Sequence, residues 1–182
     1  MAVVIWHGVN SNILDFFREV NMTANVGRTT SKWLNFIVGD SADTLRNIPV
    51  NNVSIVGVTY EEHDMTAFQD AVKGALPGMP DAPIEVTGPL DTAAAAASPT
   101  LSGSHTVLAG IIGNPTPRTI DVQFGMRHAW ETGEPQFGVS KSATSGYILM
   151  AYTVDPNAMT YTATFRLLNG SALPAFGTAA EV

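Results

Sequence analysis

Apolar and polar residues alternate with a period of two through much of the chain. Between residues 160 and 168, aromatic and aliphatic side chains separate threonines, and the segment 118–126 alternates in the same way around Ile120, Val122 and Phe124. Successive side chains of a strand point to opposite faces, so each segment predicts a strand with one face in a core and one polar face.

Other segments have the composition of strands: 3–7, 16–26, 34–38, 52–61, 106–112 and 146–154, with one further short strand at 84–87. The segment 52–61 is apolar on both faces at its centre, which predicts an interior strand. In all there are about eight strands, enough for an antiparallel β-sandwich or small barrel. The 182 residues are sufficient to bury a core without disulfides. We therefore expect a mainly β fold in one domain, 1–182.

One helix is predicted among these strands, at 65–76. Asp64 has the side chain of a good N-cap, and Phe68 and Val72 recur at helical spacing before Pro77-Gly78 ends the pattern. Residues 77–105 are rich in Pro, Ala and Gly, which predicts a long loop or an arm between subunits.

Three carboxylates lie at the start of this predicted helix, at Glu61, Glu62 and Asp64, together with His63. Glu61 and Glu62 point to opposite faces of a strand, so they cannot both ligate one ion without a bend. Their role is better explained by the favourable interaction of negative charge with a helix N-terminus than by metal binding. Calcium or magnesium binding is the alternative, although the Asp-x-Asp-x-Asp-Gly order of calcium loops is missing.

The sequence lacks the residue patterns of catalysis and of cofactor binding. It contains no cysteine, its four histidines (His7, His63, His105 and His128) have no metal-ligand spacing, and it has neither a Gly-x-Ser-x-Gly elbow nor a phosphate-binding loop. Trp6, Trp33 and Trp130 are interpreted as anchors in the core or in subunit contacts. We expect no enzyme activity, no cofactor and no bound metal.

The charge content favours a subunit of an assembly. Charged residues make up only 14% of the chain, against about 25% in a typical soluble domain, so its surface is easier to dehydrate. The nine basic residues are scattered and are outnumbered by sixteen acidic ones, which argues against tight nucleic-acid binding. We recognise no signal peptide and no membrane span, and we expect synthesis in a cytoplasm.

Several short motifs resemble those of one protein family. They are "DFFREV" (15–20), "GDSADTLRNIP" (39–49), "SGYILMAYTV" (145–154) and "TYTATFRLLNG" (160–170). In this order they resemble the major tail (tail tube) proteins of long-tailed, siphovirus-type bacteriophages. The resemblance implies a structural virion protein whose homohexameric rings stack into a tail tube that conducts DNA during ejection.

The same resemblance implies where the protein works and what it contacts. Its partners would be further copies of itself, with tape measure, tail terminator and baseplate proteins, and DNA only as transient cargo. It would assemble in the bacterial host cytoplasm and end in the tail of the virion, without contact with a membrane.

If the chain builds such a tube, we expect the wall of the lumen to be net negative or neutral, because cationic contacts would retain DNA. We favour Asp121, on the polar face of the strand at 118–126. The candidate lumen carboxylates are Asp40, Asp43, Glu61, Glu62, Asp121 and Glu134. Alternatively, the net charge of −7 only keeps the subunit soluble before assembly.

Two other functions are compatible with the sequence. A capsid decoration protein or another virion surface protein would share the β-rich, acidic and cysteine-free character. A carbohydrate-binding β-sandwich would use exposed tryptophans as its binding platform.

Overall fold

The computed structural model describes residues 34–54, 56–69, 71–98, 100–125 and 135–178. The predicted strands at 3–7 and 16–26 and all three tryptophans lie outside these ranges. The described residues form eleven strands and one helix: β1 (Leu34–Gly39), β2 (Leu45–Ile48), β3 (Asn52–Val53), β4 (Thr59–Asp64), β5 (Ala75–Asp81), β6 (Ile84–Pro89), α1 (Ser104–Ala109), β7 (Ile120–Phe124), β8 (Pro135–Val139), β9 (Tyr147–Asp155), β10 (Thr160–Leu167) and β11 (Ala175–Thr178).

The strands form three antiparallel sheets. One sheet has five strands in the order β11-β8-β7-β1-β2, the second has four in the order β3-β6-β10-β9, and the third is the hairpin β4-β5. Within the described residues none of the sheets closes into a barrel. The predicted mainly β class is confirmed as an open sandwich of antiparallel sheets.

The core lies between the five-stranded and the four-stranded sheets. Phe36 of β1 and Phe165 of β10 are fully buried, and their ring centroids are 5.8 Å apart. Two buried tyrosines point their hydroxyl groups at backbone acceptors: Tyr147 donates to the carbonyl of Ala82 (3.0 Å) and Tyr161 to that of Pro49 (2.8 Å). Buried tyrosine hydroxyls require such partners, and these two bonds link the strands to the neighbouring connections.

The prediction of a helix at 65–76 is wrong, and with it the role of Asp64 as a helix cap. The chain forms β4 and β5 here, with a loop between them. A helix of this length would have to pack its apolar face against the core, but Phe68 and Val72 are exposed. Gly74 and Pro77 also disfavour a helix, so the chain pairs as a hairpin instead.

The helix lies instead where a strand was predicted, at 106–112. α1 buries Val107 and Leu108 against the core, and Ile111 follows in the turn after it. The β-branched residues of this segment suggested a strand, but their spacing also suits one helical face, and packing favours the helix. Within the described residues, no helix is long and apolar enough to cross a membrane.

The predicted long loop at 77–105 is much shorter in the structure. Residues 77–81 belong to β5, residues 84–89 form β6, and α1 begins at Ser104. The remaining stretch is fixed by hydrogen bonds: the hydroxyl of Ser102 donates to the carbonyl of Ala96 (2.7 Å), and that of Ser104 to the carbonyl of Pro89 (2.9 Å). Small side chains allow this tight path without regular structure.

The predicted interior strand at 52–61 is also wrong. Its first part is the two-residue edge strand β3, and its last part enters the exposed hairpin as β4. The valines between them, Val56 and Val58, pack from outside against the core, which accounts for the apolar composition.

Candidate functional site: surfaces for assembly

The hairpin β4-β5 is paired only with itself among the described strands. Its register joins Thr59 to Asp81 at the base and Asp64 to Ala75 near the tip, with an irregularity after Tyr60. Every residue of β4 is exposed. A two-stranded hairpin alone in water is only marginally stable.

The tip of the hairpin is held by hydrogen bonds within the loop. The amide of Met65 donates to the carbonyl of Gly74 (2.9 Å), and the amide of Thr66 donates to the carboxylate of Asp64 (2.8 Å). The hydrogen bonds from Thr66 lower the pKa of the Asp64 carboxyl. Asp64 therefore stabilises a turn, which is a common use of aspartate at such positions.

Large apolar side chains are exposed along this hairpin. Phe68 is fully exposed, and Met79 and Val72 are 85% and 78% exposed. Met65 and Leu76 are also more than half exposed. We call these five exposed residues of one hairpin the hairpin patch, since apolar surface exposed in this way is a feature of interaction sites.

The acidic residues of β4 do not form a metal site. Glu61 and His63 share one face, with the Glu61 carboxylate 3.9 Å from His63 Nε2, whereas Glu62 points to the opposite face, as strand alternation requires. Within the described ranges, no group of three or more His, Cys, Asp or Glu side chains could hold a metal ion. Glu61 and Glu62 instead give the hairpin an acidic surface.

Asp40 is part of the turn between β1 and β2. Its carboxylate accepts hydrogen bonds from the amides of Ala42 (2.8 Å) and Thr44 (3.0 Å) and from Arg46 Nε (2.7 Å). Burial disfavours its ionised form, but the bonds from Arg46 and the two amides outweigh burial and lower the pKa of Asp40. Its charge is therefore already balanced within the subunit.

Asp43 closes the same turn in a left-handed conformation (φ 63°). Its carboxylate pairs with Arg118 Nη1 (2.8 Å) and with Lys141 Nζ. The hydrogen bond and charge of Lys141, together with Arg118, lower the pKa of Asp43. Arg118 is only 3% exposed and also donates to the carbonyl of Asp40 (2.7 Å), so it joins the turn to the segment before β7.

Asp121 lies on β7 directly opposite Gly138 of β8, on the face of the five-stranded sheet that points away from the core. A Cβ atom at position 138 would be 2.1 Å from Asp121 Oδ1, so glycine makes room for the carboxylate. Burial raises the pKa of Asp121 to about 6. Glu134, another predicted lumen residue, lies outside the described residues.

The five lumen candidates that the structure describes therefore do not converge on one surface. Asp40 and Asp43 are bound in the β1–β2 turn, Glu61 and Glu62 are on the hairpin, and Asp121 is partly buried on the five-stranded sheet. Their assignment to a lumen stays a prediction.

The two larger sheets differ at their edges. Alongside β2, the amide of Ser102 donates to the carbonyl of Asn47 (2.8 Å), so the segment before α1 covers that edge. β9 is the outer strand of the four-stranded sheet, and in the described ranges the backbone bonds on its outer side are those of Tyr147 with Arg118 at its start. The rest of β9 is open to pairing with another chain.

Within the described residues, the fold is an open antiparallel sandwich with a separate two-stranded hairpin. Solved structures of this fold include the tube-terminating cap of the anti-feeding prophage, with a TM-score of 0.54, 11% identity, and coverage of 88% of this chain and 99% of that one. A chain of the sheath–tube complex of the extracellular contractile injection system PVC, in its extended state, matches with a TM-score of 0.51, 13% identity, and coverage of 88% and 98%.

At such low identity, these likenesses show the fold. No protein-family model matches the chain, and the search of curated proteins finds no match. The fold is thus shared with chains of a tube cap and of a sheath–tube complex.

The sequence interpretation missed the hairpin patch. A usable signal was present, since Gly74 and the Pro-rich segment from Pro77 disfavour a helix. The helical spacing of the apolar residues favoured a helix instead, so the hairpin was not predicted.

Proposed function

We propose that the chain is a structural subunit of a phage-tail-like particle, and that homohexameric rings of it stack into a tube that conducts DNA. The exposed hairpin patch carries this proposal. The fold shared with a tube-terminating cap and with a sheath–tube complex supports it, as does the resemblance of the sequence motifs to tail tube proteins.

The hairpin supplies a physical reason for assembly. Full burial of one large apolar side chain contributes about 1.5–3 kcal/mol, and the patch offers five such side chains that the described subunit leaves exposed. Docking on a second copy would bury the patch and would stabilise the marginal hairpin at the same time. We therefore assign the hairpin to contacts between stacked rings.

This role requires no catalytic turnover. The partners of the subunit would be further copies of itself, with tape measure, terminator and baseplate proteins at the ends of the tube. It would assemble in the cytoplasm of a bacterial host and function in the tail of the virion. Long-tailed phages are the proposed source, following the sequence motifs.

A second candidate function is a tube-terminating cap, which the likeness to the anti-feeding prophage cap favours. A cap and a tube subunit differ in what the purified chain does alone. A tube subunit stacks on itself without limit, whereas a cap stops at one ring because it presents only one stacking face.

Sedimentation and negative-stain microscopy of the purified chain over a range of concentrations test the proposal. We expect rings that stack into tubes as concentration rises. A matched variant replaces residues 63–76 by Asn-Gly, a two-residue turn that joins the remaining strands. It should stay folded by circular dichroism and fail to stack. A monomer at every concentration contradicts the proposal, and single rings that never stack favour the cap.

A further inference from the structure

The outer face of the four-stranded sheet carries threonines on three neighbouring strands. Along β10, Thr160, Thr162 and Thr164 alternate with core residues. Thr162 lies opposite Thr87 of β6 on one side and opposite Thr153 of β9 on the other, so three threonines form a row across three strands. We call this surface the threonine face.

Three charged residues lie on this face within the described strands. Asp155 lies opposite Thr160 and Glu85 opposite Thr164, and Arg166 follows on β10. Arg166 pairs with Asp81 (2.7 Å). The central row of Thr87, Thr162 and Thr153 presents hydroxyl groups, which both donate and accept hydrogen bonds and carry no charge.

The threonine side chains are short and rigid. Branching at Cβ restricts χ1, and the side chains of Thr160, Thr162 and Thr164 are half-buried among their neighbours. The central row, Thr87, Thr162 and Thr153, therefore has only short side chains. Such a surface can bind water but offers few groups that would bind a macromolecule.

The open edge of β9 indicates how copies of this sheet can join. A strand of a second copy can pair with β9, while the opposite edge of the sheet carries only the two-residue β3 beside β6. A head-to-tail contact of this kind closes into a ring when its rotation permits. The four-stranded sheets of all copies then form one continuous wall.

The position of the core decides which face of that wall points inward. One face of the four-stranded sheet carries the five-stranded sheet and α1. These layers need the larger circumference, so they belong on the outside of a closed ring. The threonine face is left to point toward the axis.

We propose that the threonine face lines the bore of the assembled ring and gives it a hydroxyl-rich wall without unpaired cations. The inference rests on the proposed function, since it presupposes a ring. Arg166 is the one cation on this face of the described strands, and it is paired with Asp81. The wall therefore has no cluster of cations that would neutralise phosphates, and DNA slides past hydrated threonines and the carboxylates of Glu85 and Asp155.

Single-cysteine labelling of assembled tubes tests the assignment. The chain has no cysteine, so Thr162→Cys introduces a unique thiol on the threonine face. The matched control is Ala42→Cys, in the exposed turn of the five-stranded sheet. Each variant is treated, before and after assembly, with N-ethylmaleimide and with a maleimide carried on a long polyethylene glycol chain. Thr164→Cys is tested in parallel, in case one substitution prevents folding.

Before assembly, both reagents should label every variant. In tubes, labelling of Thr162→Cys by the large reagent should fall by about tenfold or more, because closed, stacked rings leave only the ends of the bore open. The small reagent should still react, and Ala42→Cys should still react with both.

Tubes in which the large reagent labels Thr162→Cys as readily as Ala42→Cys overturn the inference but leave the proposed function intact. Protection from both reagents, or loss of assembly in both threonine variants, would place the face in a subunit contact and also overturn it. If the wild-type chain forms no rings, the proposed function fails first and the inference with it.

Discussion

Asp121→Asn should raise the free energy of unfolding at neutral pH and should flatten its dependence on pH. The carboxyl of Asp121 is largely buried, and burial raises its pKa from 3.8 to about 6. In the unfolded chain it ionises near its ordinary pKa. Between these two values the unfolded chain releases a proton that the folded chain keeps, so stability falls as pH rises.

The size of the effect follows from the shift. Each unit of pKa corresponds to about 1.36 kcal/mol, so a rise from 3.8 to about 6 corresponds to about 3 kcal/mol of destabilisation once Asp121 is ionised in the fold. Below about pH 4 the carboxyl is protonated in both the folded and the unfolded chain, and it causes no destabilisation. The destabilisation grows as pH rises and is complete once pH has passed about 6. Asparagine has nearly the same shape and cannot ionise.

Urea unfolding, followed by circular dichroism from pH 4 to pH 8, measures this difference. The variant with residues 63–76 replaced by Asn-Gly is a suitable background, because assembly would otherwise contribute to the measured stability. We expect Asp121→Asn to be about 2–3 kcal/mol more stable than its parent at neutral pH and equally stable at the acidic end. Glu85→Gln, which removes an exposed carboxylate, is the control for the loss of one negative charge.

Parallel pH profiles for Asp121→Asn and its parent would refute this reasoning. So would a variant that is less stable than its parent at neutral pH, because the ionised carboxylate would then be contributing to the fold.

Three further predictions concern assembly and stability. Phe68→Ser should raise the concentration needed for stacking by about tenfold or more and leave the melting temperature unchanged. The substitution removes about 1.5–3 kcal/mol of apolar burial that only the assembly provides. Sedimentation measures this concentration, and Leu173→Ser is an exposed apolar control outside the hairpin. Gly138→Ala should lower the free energy of unfolding by about 1–3 kcal/mol, because its Cβ would lie 2.3 Å from the carbonyl of Ile120; a melting curve like that of wild type contradicts the steric argument. Arg118→Met should cost about 2 kcal/mol, since it removes hydrogen bonds that hold the β1–β2 turn, and thermal unfolding would show it.

Several of the strands that pack on the core could be predicted from the sequence. The alternation at 118–126 and 160–168 corresponds to β7 and β10, and the strand segments 34–38 and 146–154 to β1 and β9. In β7 and β10 the apolar side of the pattern faces the core, so the local pattern and the tertiary structure agree.

The hairpin could not be predicted in the same way. Phe68, Val72 and Leu76 have the spacing of a buried helical stripe, yet all three are exposed. Periodicity reports which residues need an apolar environment, and it does not tell whether that environment lies within the subunit or in another copy. If the proposed stacking contact is correct, this pattern reflects assembly and not the core.

Long-range pairing limits what can be predicted of the charged residues. Asp43 pairs with Arg118 and Lys141, which follow it far along the sequence, and no local pattern marks that contact. The burial of Asp121 depends on Gly138 in the neighbouring strand. The threonines of β10 were visible as the polar side of an alternation, but their alignment with Thr87 and Thr153 appears only in the sheet.

Cryo-electron microscopy of the purified chain at high concentration shows whether the chain assembles through its hairpin. We expect closed rings stacked into tubes, in which the hairpin patch around Phe68 is buried against the next ring. A strictly monomeric chain, or an assembly in which Phe68 remains in solvent, would contradict it.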